Sequence, residues 1–343
     1  MAYSWEEERT GGGMSSTDGK GFESARAAYR SPKPSSTPRS TTKSKPASSG
    51  SRSRSSSSSA SKPRFAKPKP GATPRPIGLT ISTDSTHPIG VICDHTGSMG
   101  DWPEIIREKL ALFGKEVERY APKYAISFCF VGDTRCDAHG LQVREFGSGP
   151  ALDEHLSKLY AEGDGGDTEE SYAVAAYYYL HHCDIPNAVK PILMFILDAP
   201  DHGSVIPAEI EAYTGDVINK PISIEKIFKQ LTAKFRVYVV SAKGRYEDYW
   251  TKLVGEQHFI KIDEVRDIVE VLIGIVAGEL GEYKDFEMRS SARHSDKPDR
   301  VSRVGDSLKS VKETSGKMTS GKGVRAGDEE SGGGKSMRSR KLV

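Results

Sequence analysis

Several features that would place a protein in a familiar class are missing from this sequence of 343 residues. A membrane-spanning helix needs about 20 consecutive apolar residues, and the apolar stretch at 271–278 is far shorter. The amino-terminal residues, MAYSWEEERTGGG, contain no hydrophobic core of a secretory signal. We therefore expect an intracellular protein, located in the cytoplasm or the nucleus and not secreted.

Cysteine is scarce, with four residues that form no CxxC or CxxxC pair. Such pairs are typical of zinc sites and of redox-active disulfides. Two of the four, Cys93 and Cys129, lie within predicted apolar strands. We expect buried free thiols rather than disulfides or a zinc site.

Enzyme motifs are also missing. The sequence contains no GxxxxGK[S/T] phosphate-binding loop, no GxSxG nucleophile elbow and no HExxH zinc motif. Thr96 stands where a haloacid-dehalogenase-type phosphatase needs a second aspartate, and His95 interrupts the Asp-Thr-Gly of an aspartic protease. We therefore expect a protein without catalytic activity, with metal-assisted hydrolysis as the less favoured alternative.

Charge is distributed unevenly along the chain, although the net charge is only +2. Residues 1–80 contain 15 basic and 5 acidic side chains, and residues 284–343 contain 15 and 9. The middle, 81–283, contains 19 basic and 33 acidic side chains. Both ends are rich in Ser, Gly, Lys and Arg, and they offer little apolar surface to offset chain entropy. We therefore predict disordered basic tails at 1–84 and 284–343 around one acidic domain at 85–283.

Apolar segments in the middle of the chain alternate between helix and strand patterns. At 103–120, apolar residues recur at spacings of four and three, which is typical of an amphipathic helix. The run 191–199 is continuously apolar, as expected for a central strand covered on both faces. Strands are predicted at 88–93, 124–133, 141–146, 191–199, 236–242 and 258–262, and helices at 103–120, 151–162, 169–183, 224–235, 246–256 and 264–280.

This alternation predicts an α/β fold, a doubly wound, mostly parallel six-stranded sheet with helices on both faces. The short segment 141–146 alternates in polarity and is expected to pair antiparallel with 124–133 at the edge. In such sheets, ligands bind beyond the carboxyl ends of the strands, where the strand order reverses.

The segment from His87 to Ile106 is the most informative part of the chain. A short apolar strand ends at Asp94, and Thr96 and Ser98 follow at alternate positions within a glycine-containing turn. One carboxylate and two hydroxyls are thereby placed around one point. Since Mg²⁺ favours oxygen ligands with only one or two carboxylates, the segment predicts an oxygen-lined cation site.

Two later segments carry related patterns. GDGGDTEE, at 163–170, precedes a helix, and ILDAPDHG, at 196–203, follows a buried strand. Together with Asp94-x-Thr96-x-Ser98, these segments resemble the three loops of the metal-ion-dependent adhesion site (MIDAS) in von Willebrand factor A-type domains. The likeness is strongest to the subgroup with GGGDxxE and DAPxHG motifs. It covers roughly residues 85–283 and implies a Rossmann-like, doubly wound domain.

The resemblance also implies a set of metal-site residues. It matches Asp94, Thr96 and Ser98 to the first loop, with Thr96 in place of the commoner serine, and Asp198 to the acidic position of the third loop. Adhesive members place a threonine after the glycine pair of the middle loop, where this chain has Asp167 followed by Thr168. Asp167 is the favoured ligand or outer-sphere acceptor, and Thr168 is the alternative. The implied cofactor is Mg²⁺, or else Mn²⁺ or Ca²⁺.

A third carboxylate beside the ion would nearly balance its charge, and so would lower the demand for an acidic side chain from a partner. We therefore expect a metal site that depends less on a partner's carboxylate than an adhesion receptor does. The predicted function is a non-catalytic interaction module whose protein partner docks on the metal-bearing face. The alternative is a nucleic-acid-associated or scaffold protein whose basic tails bind nucleic acid or an anionic surface.

Other residues near the motifs have simpler interpretations. His95 is expected to pack beside the site or to face solvent, and His202 to orient its loop rather than to catalyse. The tyrosines of 172–179 are expected to be packing residues. Trp102 lies near the predicted mouth of the site, where it would contact a partner or pack partly into the core.

Overall fold

Strands and helices alternate along the part of the chain that the computed structural model describes, which is 74–162 and 168–320. The strands are β1 (Ile81–Ser82), β2 (His87–Asp94), β3 (Tyr124–Val131), β4 (Leu141–Val143), β5 (Cys183–Asp184), β6 (Ile192–Leu197), β7 (Ser204–Val205), β8 (Ile222–Ser223), β9 (Arg236–Ala242) and β10 (Phe259–Ile262). The α-helices are α1 (Trp102–Tyr120), α2 (Ala151–Ser157), α3 (Tyr172–His181), α4 (Pro207–Thr214), α5 (Ile224–Lys234), α6 (Glu247–Val254), α7 (Ile268–Leu280), α8 (Tyr283–Arg293), α9 (Pro298–Ser307) and α10 (Lys309–Ser320).

Six of the strands form one sheet, in the order β10-β9-β6-β2-β3-β4. Neighbouring strands are parallel except β4, which pairs antiparallel with β3. The first strand of this sheet, β2, lies in the middle, between β3 and β6, and later strands are added on either side. The strand order therefore reverses between β2 and β6. The predicted α/β class, the six-stranded, mostly parallel sheet and its antiparallel edge strand are confirmed, and four short strands outside this sheet were not predicted.

Alternate side chains of the central strands pack on different helices. Leu193 and Phe195 of β6 belong to one hydrophobic cluster with residues of α3 and α5. On β9, Tyr238 lies between two members of that cluster and so points to the opposite face. Its hydroxyl donates a hydrogen bond of 2.7 Å to Glu279 on α7. Both faces of the sheet are therefore covered, which explains why the central strands are uninterrupted apolar runs.

The folded region begins before the predicted boundary at residue 85. Ile81 of β1 is buried and pairs in parallel with Cys183 of β5. Further upstream, the backbone N–H of Gly78 donates a hydrogen bond of 2.9 Å to the carbonyl oxygen of Thr214. The prediction of disorder is therefore wrong for 74–84, because a two-residue strand is too short to produce a periodic pattern. Residues 1–73 lie outside the described residues.

The predicted disordered tail from residue 284 is also wrong, as far as residue 320. Helices α8, α9 and α10 occupy this segment, and the side chains of Leu308 and Val311 are buried against α7. They approach α7 at Gly274 and Gly278, where the missing side chains leave room. The segment from residue 284 contains few apolar residues, and this composition is the reason for the prediction of disorder. Its few apolar side chains nevertheless pack together on the apolar helix α7. The rest of the predicted tail, 321–343, lies outside the described residues.

No helix in the described ranges is long and apolar enough to cross a membrane. All four cysteines are free: Cys93, Cys129 and Cys183 are buried, as expected, whereas Cys136 is exposed.

Candidate metal centre

Asp94 lies at the carboxyl end of β2, where the strand order reverses. Its side chain is fully buried. The Oδ1 atom accepts hydrogen bonds from the backbone N–H of Thr96 at 2.8 Å and from the Thr96 hydroxyl at 2.6 Å. The Oδ2 atom accepts a hydrogen bond from the hydroxyl of Tyr172. The first loop is therefore closed around the Asp94 carboxylate in the manner of an Asx-turn.

Ser98 connects this loop to the end of β6. Its hydroxyl oxygen lies 3.2 Å from that of Thr96 and donates a hydrogen bond of 2.8 Å to Oδ1 of Asp198. Asp198 follows directly after β6 and is buried, whereas Ser98 is exposed. The structure thus brings Asp94, Thr96, Ser98 and Asp198 together through two hydrogen bonds and one close contact between hydroxyls, with Ser98 open to solvent.

The turn that presents Ser98 depends on a glycine. Residues Gly97–Met99 form one turn of 3-10 helix, and Gly100 ends it by donating its N–H to the carbonyl oxygen of Gly97 at 3.1 Å. Gly100 has φ +57°, in the region that favours glycine. A side chain at position 100 would therefore disturb the turn that aims the Ser98 hydroxyl.

Glu170 is a carboxylate of this region that motif matching did not assign. Its side chain is buried, and its Oε2 atom has no hydrogen-bond partner among the described residues. Burial, followed by the negative charges of Asp94 and Asp137, raises the pKa of Glu170 to about 9. The GGGDxxE pattern ends on this residue, which is the signal that the sequence contained for it. A buried oxygen without a partner is unfavourable, so this carboxylate is suited to receive a cation or a proton.

The raised pKa of Asp94 also favours a cation at this site. Burial raises the pKa of Asp94 to about 6, against the opposing effect of its hydrogen bonds from Thr96 and Tyr172. The negative charge of Asp198 adds to the rise. Because the ionised forms of buried, neighbouring carboxylates repel one another, a divalent cation between them would stabilise their charged state.

Arg245 provides a positive charge at this site. Its Nη1 atom donates a hydrogen bond of 2.7 Å to Oδ2 of Asp198, and its side chain is 47% exposed. The residue lies in the loop between β9 and α6, far from all three motifs in the sequence. No pattern distinguishes it from other basic residues, so only the tertiary structure reveals its position.

The donor atoms present fit a small, hard cation in their chemistry. Carboxylates from Asp94, Asp198 and Glu170 and hydroxyls from Thr96 and Ser98 are oxygen donors of the kind that Mg²⁺ prefers. Within the described ranges, however, no three His, Cys, Asp or Glu side chains are grouped so that they could hold a metal ion. A site here would therefore rely on the hydroxyls as well as the carboxylates.

The middle loop is described only in part. Asp167, the favoured ligand of that loop, lies outside the described residues, and so do the glycines before it. Thr168, the alternative, is described and exposed. The choice between Asp167 and Thr168 stays a prediction.

Both histidines of the motifs are held by neighbouring residues. His95 is buried and stacks on Phe130, with ring centroids 5.9 Å apart. Its Nε2 atom lies 3.1 Å from the His139 carbonyl oxygen. Its Nδ1 atom lies 3.3 Å from the backbone nitrogen of Glu162. Burial lowers the pKa of His95 to about 4. It therefore packs beside the site as a neutral ring, one of the two places expected for it.

His202 joins two acidic residues across the third loop. Its Nε2 lies 3.0 Å from Oδ1 of Asp133, and its Nδ1 lies 3.2 Å from Oε2 of Glu169. The ring thereby ties the loop after β6 to the end of β3 and to the segment before α3. This agrees with the expected role of His202 in orienting its loop.

The tyrosines of α3 are buried packing residues, as predicted, but Tyr172 has a second role. Its ring packs edge-on against Trp250 with centroids 5.5 Å apart, while its hydroxyl contacts Asp94. The hydrogen bond from the Tyr172 hydroxyl fixes the orientation of the Asp94 carboxylate. No feature of the tyrosine-rich sequence separated this residue from its neighbours.

A cleft of about 370 Å³ opens beside the exposed Ser98. Trp102, partly buried, forms one side of it, and Val265 contributes an apolar surface. Ser98, Asp198 and Arg245 line it as well, together with Lys243. The cleft therefore joins the acidic site to a surface that is partly apolar and partly basic.

Comparison with family models gives no match, and neither does comparison with curated proteins. Solved structures similar to the chain include proximal thread matrix protein 1 from the mussel byssus, with a TM-score of 0.42 and 8% identity over 58% of this chain and 49% of that one. They also include the pilus adhesin SpaC from Lactobacillus rhamnosus GG, with a TM-score of 0.41 and 10% identity over 60% of this chain and 32% of that one. The chain spans half or less of each relative, and likenesses this distant carry no argument about its fold family or function.

Proposed function

We propose that the α/β domain is of the von Willebrand factor A type, with the doubly wound arrangement of that fold. In this proposal it binds a divalent cation at the carboxyl ends of β2 and β6 and docks a protein partner on that face. The position supports the proposal, because ligands of such sheets bind where the strand order reverses. The reversal between β2 and β6 is also where Asp94 and Asp198 lie.

One observation carries the proposal. Residues from two loops about 100 positions apart form the chain Asp94–Thr96–Ser98–Asp198, and each link is a hydrogen bond or a hydroxyl contact of 3.2 Å or less. The buried Oε2 of Glu170, for which the described part of the chain offers no hydrogen-bond partner, lies in the same region, within electrostatic reach of Asp94. A turn that served only the local fold after β2 would need neither Asp198 from the loop after β6 nor the buried carboxylate of Glu170.

Asp94, Thr96, Ser98, Asp198 and Glu170 would hold the ion, with Asp167 or Thr168 from the middle loop. The bound ion would offer its open coordination positions to an oxygen atom of a partner. The exposed Ser98 marks the side from which a partner would approach. The buried Tyr172 would keep the Asp94 carboxylate in position from the opposite side.

An interaction role is favoured over catalysis because both nearby histidines already have partners for both ring nitrogens. His95 lies between the His139 carbonyl oxygen and the Glu162 backbone N–H, and the pKa of its ring is lowered by burial. His202 is held between Asp133 and Glu169. Neither ring is placed to take a proton from a water molecule at the site.

Calorimetric titration of the full chain with Mg²⁺ and Mn²⁺ tests the metal site. We expect saturable heat for the natural sequence and its loss in Asp94→Asn, which removes the central charge but keeps the shape of the side chain. Asp101→Asn is the matched control, because Asp101 is an exposed neighbouring carboxylate outside the hydrogen-bonded chain. If the natural protein shows no metal heat, or if Asp94→Asn retains it, the metal site is refuted.

A pull-down from a cell extract, with and without EDTA, tests the interaction role. Partners that dock on the metal-bearing face should be retained with Mg²⁺ and lost with EDTA or with Asp94→Asn. Partners held by the basic ends of the chain should instead be lost at high salt and be indifferent to EDTA. If every retained partner is lost at high salt and none is lost with EDTA, the nucleic-acid or scaffold alternative is favoured.

A further inference from the structure

Asp198 divides its two oxygens between two different kinds of partner. Oδ1 accepts the hydrogen bond from Ser98 at 2.8 Å, and Oδ2 accepts from the Arg245 guanidinium at 2.7 Å. The Asp198 side chain is 3% exposed, whereas that of Arg245 is 47% exposed. A buried carboxylate is thus neutralised by a guanidinium whose side chain is about half exposed to solvent.

The backbone holds Arg245 at this position through an unusual loop. Lys243 and Tyr246 both have positive φ, at 60° and 54°, a conformation that is unfavourable for residues other than glycine. The Lys243 N–H donates to the Ile262 carbonyl oxygen at 2.7 Å, and the Ser241 hydroxyl donates to the carbonyl oxygen of Arg245 at 2.9 Å. The backbone of Arg245 is therefore held in place, while its side chain borders the open cleft beside Trp102.

We infer that Arg245 is an exchangeable counter-ion of the cation site: it neutralises Asp198 in the metal-free protein and must release Asp198 when a metal ion binds. The inference rests on the proposed metal site and concerns its regulation. A guanidinium group remains charged at any physiological pH, so it cannot escape repulsion by losing a proton. It has to move, and the neighbouring cleft of about 370 Å³ offers the space.

This exchange sets the affinity of the site and couples it to the cleft. Metal binding has to break the pair between Arg245 and Asp198, which weakens the affinity for the ion. Conversely, an acidic group of a partner that engages Arg245 in the cleft would release Asp198 and strengthen metal binding. Since coupling between two binding events is reciprocal, the metal ion would strengthen binding of that acidic group by the same factor.

Calorimetric titration of the full chain with Mn²⁺ tests the exchange in three variants. Arg245→Gln removes the competing charge and should tighten metal binding roughly five- to tenfold. Arg245→Lys retains a cation and should stay within about twofold of the natural protein. Lys243→Gln is the matched control: it removes the same charge from the same loop, but Lys243 has no contact with Asp198 among the described residues, so a change within about twofold is expected.

A second measurement guards against variants that are merely unstable. The rise in melting temperature on adding Mn²⁺ should be larger for Arg245→Gln than for the natural protein, because metal-free Asp198 has lost its counter-ion in that variant. If the natural protein binds metal and Arg245→Gln binds it equally or less tightly, the exchange is refuted and the metal site stands. If no variant binds metal, the proposed function fails and the exchange fails with it.

Discussion

The Ser98 hydroxyl donates a hydrogen bond of 2.8 Å to Asp198, although 100 positions separate the two residues in the sequence. This bond joins the loop after β2 to the loop after β6, across the point where the strand order reverses. An exposed serine is thereby placed between a buried carboxylate and the solvent. The arrangement makes Ser98 the most informative residue for testing the site without damaging the core.

Ser98→Ala should weaken Mg²⁺ or Mn²⁺ binding about tenfold, because it removes one oxygen donor and the link between the two loops. The free energy of unfolding of the metal-free protein should change by less than about 1 kcal/mol, since the side chain is exposed. Calorimetric titration and urea unfolding in EDTA measure the two quantities. Unchanged affinity would remove Ser98 from the site.

Glu170→Gln should stabilise the metal-free protein and impair the metal-bound one. The substitution replaces a buried carboxylate, whose Oε2 has no partner among the described residues, with a neutral amide of the same shape. In EDTA we expect a gain of about 1 kcal/mol in the free energy of unfolding, and a smaller rise in melting temperature when Mg²⁺ is added. Glu169→Gln is the matched control, because that neighbouring side chain is 54% exposed and contacts His202 instead. Equal behaviour of the two variants would show that Glu170 is an ordinary buried acid.

Acid should weaken the attachment of the carboxyl-terminal helices through Glu270 on α7. Burial opposes the charged form of Glu270, but hydrogen bonds and charges from His294 and Arg293 outweigh burial and lower the pKa to about 2. A pKa that is lower in the folded than in the unfolded state stabilises the fold above the ordinary value near 4.5, and this contribution is lost as pH falls towards 2. The contribution is on the order of 3 kcal/mol.

Urea unfolding of the natural protein and of Glu270→Gln at pH 6 and pH 2.5 measures this contribution. The variant should be less stable than the natural protein at pH 6, and the difference should largely disappear at pH 2.5. An equal difference at both pH values would mean that the ionised form of Glu270 does not hold α8 in place.

Gly274→Ala should destabilise the protein by about 1–3 kcal/mol if α8 and α9 pack on α7 as described. A Cβ atom at position 274 would lie 2.3 Å from Cδ1 of Leu308 and 2.9 Å from Cε1 of Phe286. Gly305→Ala on α9 is the control, because its Cβ would meet nothing within 4 Å. That variant should be neutral, or more stable by up to about 1 kcal/mol owing to helix propensity. A stabilising effect of Gly274→Ala, measured by urea unfolding, would instead favour a disordered tail.

Much of the fold could be predicted because its signals are local. The continuous apolar run that contains β6 and the regular spacing in α1 identify their elements without knowledge of neighbours. Elements stabilised by distant partners were missed. β1 contains a single buried residue, Ile81, and the segment from α9 to α10 buries chiefly Val304, Leu308 and Val311. These few contacts become significant only when β5 and α7 are already in place.

The candidate site divides in the same way. The positions of Asp94, Thr96, Ser98 and Asp198 can be predicted from the residue order alone, because the end of each apolar run dictates which residues reach the same edge of a parallel sheet. Three features depend on the folded arrangement: Oε2 of the buried Glu170 has no hydrogen-bond partner among the described residues, Tyr172 orients Asp94, and Arg245 neutralises Asp198. Burial and charge pairing depend on what lies nearby in space, and those neighbours come from elements up to about 80 positions away along the chain.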